Sequence, residues 1–251
     1  MTNLKFTDLG LKETLVKAID DLGFITPSPI QAEAIPVALE GIDIIGQAQT
    51  GTGKTAAFGL PLINNLTVKN AIGSIILAPT RELAIQVHDE LVKLTKYEKL
   101  NIVAVYGGAP IHIQARDLKK ANIVVGTPGR VLDHIRRGNL PLSCVEFLVL
   151  DEADEMLNMG FIDDMEEIMK SIPEERQTML FSATMPPQIK KLSKKYLKED
   201  AKHVAIARKE LTGSTITQNY FEVNGSQRLE ALCRLIDLDN PSAGIIFCRT
   251  K

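Results

Sequence analysis

The stretch Ala48–Thr55, AQTGTGKT, constrains this chain more than any other. It lies between an apolar run, Ile42–Ile45, and a segment with helical spacing, Thr55–Leu66. Small residues at a strand-to-helix junction let backbone N–H groups turn towards a polyphosphate, and the helix N-terminus adds partial positive charge. Lys54 then reaches the outer phosphates, and Thr55 offers its hydroxyl to Mg²⁺. The strict phosphate-loop pattern has glycine where this chain has Ala48. Without its flanks the stretch is only a glycine-rich turn; the strand before it and the helix after it make it a phosphate loop.

The rest of the chain repeats that strand–helix grammar. Short β-branched runs occur at Ile42–Ile45, Ser74–Ala78, Ile102–Tyr106, Ile123–Val125, Phe147–Leu150, Thr178–Phe181 and His203–Ile206. Helical faces lie between them or before them. Leu11, Leu15, Ala18, Ile19 and Leu22 form one, with Gly23 placed to stop it, and Leu83, Val87, Leu91 and Leu94 form another. Near-continuous apolar strands alternating with helices predict an α/β fold, with a parallel sheet covered by helices on both faces.

Composition narrows the class further. Hydrophobic residues make up 45% of the 251 and charged residues 24%, as in a globular protein. The formal net charge is -2, so any contact with nucleic acid must come from a local patch. The start, MTNLKFTDLG, has neither the basic nor the apolar region of a signal peptide, and no apolar run approaches the ~20 residues that span a bilayer. Cys144, Cys233 and Cys248 are scattered, which speaks against zinc or disulfides and predicts small core residues in a reducing cytoplasm.

The pattern changes after Ala207. Arg208–Thr217 is polar and reads as a linker. A strand candidate (Asn219–Val223), a helix candidate (Arg228–Asp237) and an apolar run (Gly244–Phe247) follow. That is too little to bury a core, so 218–251 reads as the opening of a second domain after a first domain spanning 1–207.

Asp151 and Glu152 end the apolar strand Phe147–Leu150. A carboxylate at the tip of a buried strand can hold a cation that bridges phosphates, a role for Asp151, while Glu152 can accept a proton from an attacking water. Helix capping by Asp151 is the plainer alternative. Charge is uneven nearby: Asp151–Glu167 holds eight acidic residues and no basic one, and Lys190–Lys202 holds six lysines. Such runs usually form solvated helix faces; the lysines are also a second candidate surface for RNA or a partner.

Six segments follow directly after predicted strands: AQTGTGKT, PTRE (79–82), GG (107–108), TPGR (127–130), DEAD (151–154) and SAT (182–184). Ligands of open parallel sheets bind at the carboxyl ends of the strands, which places all six along one edge.

Together these segments resemble the motifs of the DEAD-box RNA helicases. Asp151-Glu152-Ala153-Asp154 spells the family's name. Gly23–Gln31 (GFITPSPIQ) resembles its Q motif, with Phe6 as the isolated upstream aromatic. AQTGTGKT resembles motif I, in which the family itself carries alanine at the place of Ala48. PTRELA, Gly107-Gly108 and TPGR resemble its RNA-binding motifs, Ser182-Ala183-Thr184 its motif III, and IIFCRT (245–250) the start of motif IV. The likeness spans essentially the whole chain and is nearest to the bacterial cold-shock-type members.

The resemblance implies a RecA-like P-loop NTPase domain, a flexible linker and a second RecA-like domain whose remainder is missing, with ATP and Mg²⁺ bound between the two. It implies that Ala48, Gln49, Thr50, Gly51, Thr52, Gly53, Lys54 and Thr55 hold the phosphates. Gln31 would read the adenine edge, although a polar helix-start role suits it equally. Phe24 or Phe6 would pack near the ring. Lys54, Asp151 and Glu152 would serve hydrolysis. Ser182 and Thr184 would link the γ-phosphate to RNA, where helix capping is the plainer role. Pro79, Thr80, Arg81, Gly107, Gly108, Thr127, Pro128, Gly129 and Arg130 would hold the RNA backbone without reading sequence. The expected activity is ATP-dependent, RNA-stimulated unwinding in the cytoplasm, with no membrane partner. This fragment alone is expected to bind nucleotide weakly and not to unwind. A small-molecule phosphotransferase and a non-catalytic RNA clamp or assembly factor are the alternatives.

Overall fold

The structure is a computed structural model, and it describes residues 4–68, 70–206, 217 and 219–248. Internal contacts divide the chain into two units, Met1–Ala207 and Arg208–Lys251.

The first unit begins with a 3₁₀ turn over Phe6–Leu9, then α1 (Glu13–Asp21) and α2 (Pro29–Leu39). Strand and helix alternate from there: β1 (Ile44–Gln47), α3 (Lys54–Asn65), β2 (Ser74–Leu77), α4 (Arg81–Leu94), β3 (Ile102–Val105), α5 (Ile111–Leu118), β4 (Ile123–Gly126), α6 (Pro128–Arg136) and β5 (Phe147–Leu150). After β5 come α7 (Ala153–Asn158), α8 (Ile162–Ser171), β6 (Gln177–Ser182), α9 (Pro187–Tyr196) and β7 (Lys202–Ala205). The seven strands form one parallel sheet in the order β3-β4-β2-β5-β6-β1-β7.

The central strands β2, β4, β5 and β6 are buried on both faces, as their apolar runs predict, while the edge strands β3 and β7 are partly open. Along β5, Phe147 and Val149 join a core with Ile30, Ile35, Phe58 and Leu91 from α2, α3 and α4. Leu148 and Leu150 point the other way, into a core with Val131, Met156, Ile168 and Ile189 from α6 to α9. Alternate side chains of a strand face opposite sides, so each central β-branched run serves two cores at once.

Gly23 follows the last turn of α1 at φ 75°, the left-handed conformation that a helix stop favours. β1 lies two residues further along than its apolar run, at 44–47 instead of 42–45. The buried Asp43 carboxylate explains the shift. It accepts from the Thr178 and Lys198 backbone N–H groups at 2.7 and 2.9 Å, and the Ile42 carbonyl accepts from the Gln177 side chain. Gly46 extends the strand because the Phe181 ring lies against it: a Cβ there would stand 2.4 Å from the ring.

Two expectations need correction. Cys144, Cys233 and Cys248 are free, as expected, but all are exposed and not core residues. Cys144 falls in the turn before β5, where chain reversal leaves side chains in solvent. In the second unit, Asn219–Val223 and Gly244–Phe247 form no strand. Its described residues hold only a 3₁₀ turn (Gly225–Gln227) and α10 (Arg228–Asp239). A strand needs a paired neighbour to satisfy its backbone, and apolar sequence alone does not provide one. Nearly all of the linker 208–217, and Arg249 and Thr250 of IIFCRT, lie outside the described residues. No helix among the described residues is long and apolar enough to cross a membrane.

Candidate functional site

The loop between β1 and α3 is shaped by two glycines with positive φ, Gly51 at 76° and Gly53 at 87°. Gly53 is required twice over, because a Cβ there would also lie 2.4 Å from Gln31 Nε2. Lys54 is the first residue of α3, so the free N–H groups of that helix open onto the loop. Ala48 is buried, its methyl group part of the core. Gln49 and Thr50 are exposed, and the Thr52 hydroxyl donates to the Gln49 carbonyl at 2.7 Å.

The start of α2 grips this loop. Ser28 Oγ donates to the Thr52 carbonyl at 2.7 Å, and Gln31 Nε2 donates to the Gly53 carbonyl at 3.0 Å. Gln31 Oε1 accepts from the Ser28 N–H at 2.9 Å, which makes Gln31 a helix-start residue and a loop contact together. Phe6 is 3% exposed and stacks on Phe24, with ring centroids 6.4 Å apart. Of the two aromatics only Phe24 turns a face to solvent. Phe6 is its support, because the 3₁₀ turn that carries it is folded into the core.

Lys54, Asp151 and Glu152 converge although β6 separates their strands. Lys54 Nζ stands 3.7 Å from Asp151 Oδ1 and 3.6 Å from Glu152 Oε1. All three residues are buried, and neither Lys54 Nζ nor Asp151 Oδ1 has a hydrogen-bond partner. Burial pushes the Asp151 carboxyl up to about 6, Lys54 opposing the shift and Glu152 adding to it. Two carboxylates around one ammonium leave an excess negative charge in a nearly dry site, and bare buried polar atoms are costly. A divalent cation at Asp151 and anionic oxygens at Lys54 would satisfy both, so the residues fit a magnesium–phosphate ligand. Magnesium is commonly held by one or two carboxylates together with substrate phosphates. Capping by Asp151 does not occur. The position before α7 belongs to Glu152, held at φ 53° with no side-chain cap, an uncommon conformation that aims its carboxylate inward.

These residues line a cavity of about 280 Å³ with Thr50, Gly51, Gly53 and Thr55, and with Leu83, Gln86, Val87 and Glu90 of α4. The α4 residues were not among the sequence candidates. Burial raises the Glu90 pKa, opposed by the Thr55 hydroxyl. Phe24 lines a neighbouring groove of about 570 Å³ that shares Gln86 and Glu90.

Ser182 and Thr184 reach Asp154 instead of capping α9, which begins later at Pro187. Thr184 donates from both its backbone N–H and its hydroxyl to Asp154 Oδ2, at 2.9 and 2.7 Å. Ser182 Oγ donates to the Thr184 carbonyl at 2.7 Å and accepts from the Asp154 N–H at 3.3 Å. Burial pushes the Asp154 carboxyl up, but the hydrogen bonds donated by Thr184 outweigh it and hold the group below its usual range. Asp154 was missed as a separate candidate; its place beside Ser182 depends on a contact 28 residues away in sequence.

The remaining segments occupy the other half of the same edge. Read in spatial order from β3, the strand ends carry Gly107-Gly108, TPGR, PTRE, DEAD, SAT and the glycine loop. Thr80 caps α4, its side chain accepting from the Leu83 N–H, and Pro79 is buried behind it. Arg81 is exposed at the first position of α4, its guanidinium 4.9 Å from the Tyr106 ring centroid. Thr127 and Pro128 start α6, Gly129 is exposed, and Arg130 is half-buried. Gly108 adopts φ 82°.

The lysine run lies on α9, the turn after it and the first residue of β7. Lys195 is tied to Glu166 at 2.6 Å, a solvated charge pair of the expected kind.

Known proteins share this arrangement. The family profile described as DEAD/DEAH box helicase matches residues 28–192. The DEAD-box ATP-dependent RNA helicase CshA of Bacillus cereus is 52% identical over 98% of the chain, and 47% of that protein is covered. The ATP-dependent RNA helicase CshA of Listeria monocytogenes is 53% identical over 98% of the chain, with 48% of it covered. The chain thus spans about half the length of these curated relatives. The crystal structure of a DEAD box protein from the hyperthermophile Methanococcus jannaschii superposes with a TM-score of 0.79 at 48% identity, covering 92% of this chain and 63% of that one. The first unit is accordingly a RecA-like domain, and the chain belongs to the DEAD/DEAH box helicase family.

Proposed function

We propose that the chain is the ATP-binding portion of an ATP-dependent RNA helicase. The observation that carries this reading is Lys54 Nζ, buried without a hydrogen bond between Asp151 and Glu152 at the mouth of the glycine loop. The loop N–H groups and Lys54 bind the phosphates, and Gln31 and Phe24 hold the adenine. Thr55 and Asp151 would hold Mg²⁺, which when bound would neutralise charge on the phosphate oxygens. Glu152 takes a proton from the water that attacks the γ-phosphate, and ADP and phosphate leave. Ser182 and Thr184 fix the second aspartate of DEAD, Asp154, between this site and the RNA half of the edge.

RNA lies across Gly107–Gly108, the start of α6 and the start of α4, held by Arg81, Arg130 and helix N–H groups through its backbone and without regard to sequence. We read 218–251 as the opening of a second RecA-like domain, joined through 208–217, which supplies the other wall of the nucleotide site in the whole protein. Unwinding belongs to that whole protein, working in the cytoplasm, a compartment in keeping with the three free cysteines.

Calorimetry with ATP, GTP and CTP in the presence of Mg²⁺ tests the reading. Wild type is expected to prefer ATP, Gln31→Ala to lose the preference, and Lys54→Ala to bind none of the three well. Equal affinity of wild type for all three nucleotides would overturn the adenine assignment.

A further inference from the structure

Beneath the Gly107–Gly108 turn lies a polar network separate from the phosphate site. Gln114, on α5, is 6% exposed. Its Nε2 donates to the Tyr106 carbonyl at 3.2 Å. Its Oε1 accepts from Arg130 Nη1 at 2.8 Å and faces His134 Nε2 at 3.1 Å. Arg130 Nη1 also donates to the Ala109 carbonyl at 2.9 Å. His134 is fully buried, with Nδ1 facing the Asn139 amide at 3.4 Å.

One cation fixes every proton in this network. A guanidinium only donates, so the oxygen of Gln114 must face it and the amide nitrogen must face Tyr106. The same oxygen faces His134, so Nε2 carries the histidine's proton and Nδ1 accepts from Asn139. Burial lowers the His134 pKa and Arg130 lowers it further, which keeps the ring neutral in that tautomer.

The turn above has little else to hold it. A Cβ at Gly107 would meet nothing within 4 Å, and one at Gly108 would meet only the end of Arg81. Its position is set by hydrogen bonds at its two ends, Tyr106 to Gln114 and Ala109 to Arg130, and those two side chains bond to each other.

We propose that Gln114 is a positioning residue for RNA, fixing the Gly107–Gly108 main chain and the Arg130 guanidinium at one spacing. The inference rests on the reading of those groups as RNA contacts. The position calls for a group that donates at one end and accepts twice at the other. An amide does so; a carboxylate or a thioether does not.

The test uses anisotropy of a labelled single-stranded RNA of mixed sequence and hydrogen exchange of the 106–109 amides, with ATP affinity as the check on folding. Gln114→Met is expected to weaken RNA about tenfold, the loss of roughly one charge-assisted hydrogen bond. Exchange at 106–109 rises in the same variant. Gln114→Met combined with Arg130→Ala loses less RNA affinity than the two single losses added together, because part of what the glutamine does runs through the arginine. Gln114→Glu keeps the two acceptor contacts and loses only the donation to Tyr106. Exchange at the turn rises there too, which keeps the inference testable if the methionine variant does not fold. Wild-type RNA affinity in the Gln114 variants, wild-type exchange at the turn, or additive losses in the double variant would each overturn the positioning role while Arg130→Ala still weakens RNA. If Arg130→Ala binds RNA as wild type does, the RNA interface itself is wrong and the inference falls with it.

Discussion

Three side chains show how little freedom the site leaves. Glu152 sits in a left-handed conformation and has no capping duty, so its backbone serves the direction of its carboxylate. In the protein extended to include its second domain, Glu152→Gln is expected to bind ATP as wild type does and to lose at least roughly a hundredfold in hydrolysis, the usual size of a general-base contribution. Single-turnover hydrolysis beside nucleotide binding checks this, and an unchanged rate would remove Glu152 as the base. Gly53 is constrained by its φ and by Gln31 behind it. Gly53→Ala should therefore cost about tenfold or more in ATP affinity, since left-handed strain and a displaced Gln31 each cost on the order of 1–2 kcal/mol. His134 links charge to stability. Its pKa is lowered by burial first, then by Arg130 and Arg137 with Asp133 opposing. The unfolded chain takes up this proton before the folded one. Stability is thus complete above the ordinary histidine value of 6.5 and is lost as pH falls through it. Urea midpoints should fall between about pH 7.5 and 5.5 in wild type and fall less in His134→Gln. Equal falls would clear His134 of the effect.

Among the elements, β1 carries the tightest packing demand. Gly46 faces the Phe181 ring of the neighbouring strand, so Gly46→Ala overpacks the core and should cost about 1–3 kcal/mol, read from denaturation midpoints. The same strand shows where sequence reading succeeds and where it fails. All seven strands were legible, because the central strands of a doubly covered sheet are largely apolar and the edge strands β3 and β7 still bury Val105 and Val204. The limits of β1 were not, because Asp43 draws two backbone donors and Gly46 and Gln47 do not look like strand residues. The glycine loop and DEAD were legible as contiguous signals. Ser28, Glu90, Gln114 and Asp154 were not chosen, because a polar residue turned inward on a helix has the same spacing as a solvated one. Only the fold brings its partner close. The acidic run after β5 divides in the same way: Asp151, Glu152 and Asp154 are buried, while Asp163, Asp164, Glu166 and Glu167 lie on or beside the solvated face of α8.

Over the molecule, both apolar cores draw, among the described residues, on the stretch between Leu4 and Ile206. A chain ending at Ile206 is therefore expected to melt within about 2 °C of the longer one, because a 200-residue domain moves only ~2–4 °C per kcal/mol. It should also keep its ATP affinity; a fall of ten degrees would mean that later residues complete the fold. Saturating RNA is expected to produce little ATP turnover or strand displacement by the 251-residue chain, since the proposed second wall would bring the positive charge that phosphoryl transfer needs. Strong RNA-stimulated turnover would contradict that division of labour. The sheet order has another consequence, for biosynthesis. β1 pairs only with β6 and β7, and Thr178, which seals the end of Asp43, lies 135 residues downstream. At ~5–20 residues per second, roughly 7 to 27 seconds of translation separate the emergence of the glycine loop from that of the strand beside it. The segment with the most recognisable chemistry emerges early within its domain, yet it must wait for nearly the whole of that domain before it can be held in shape.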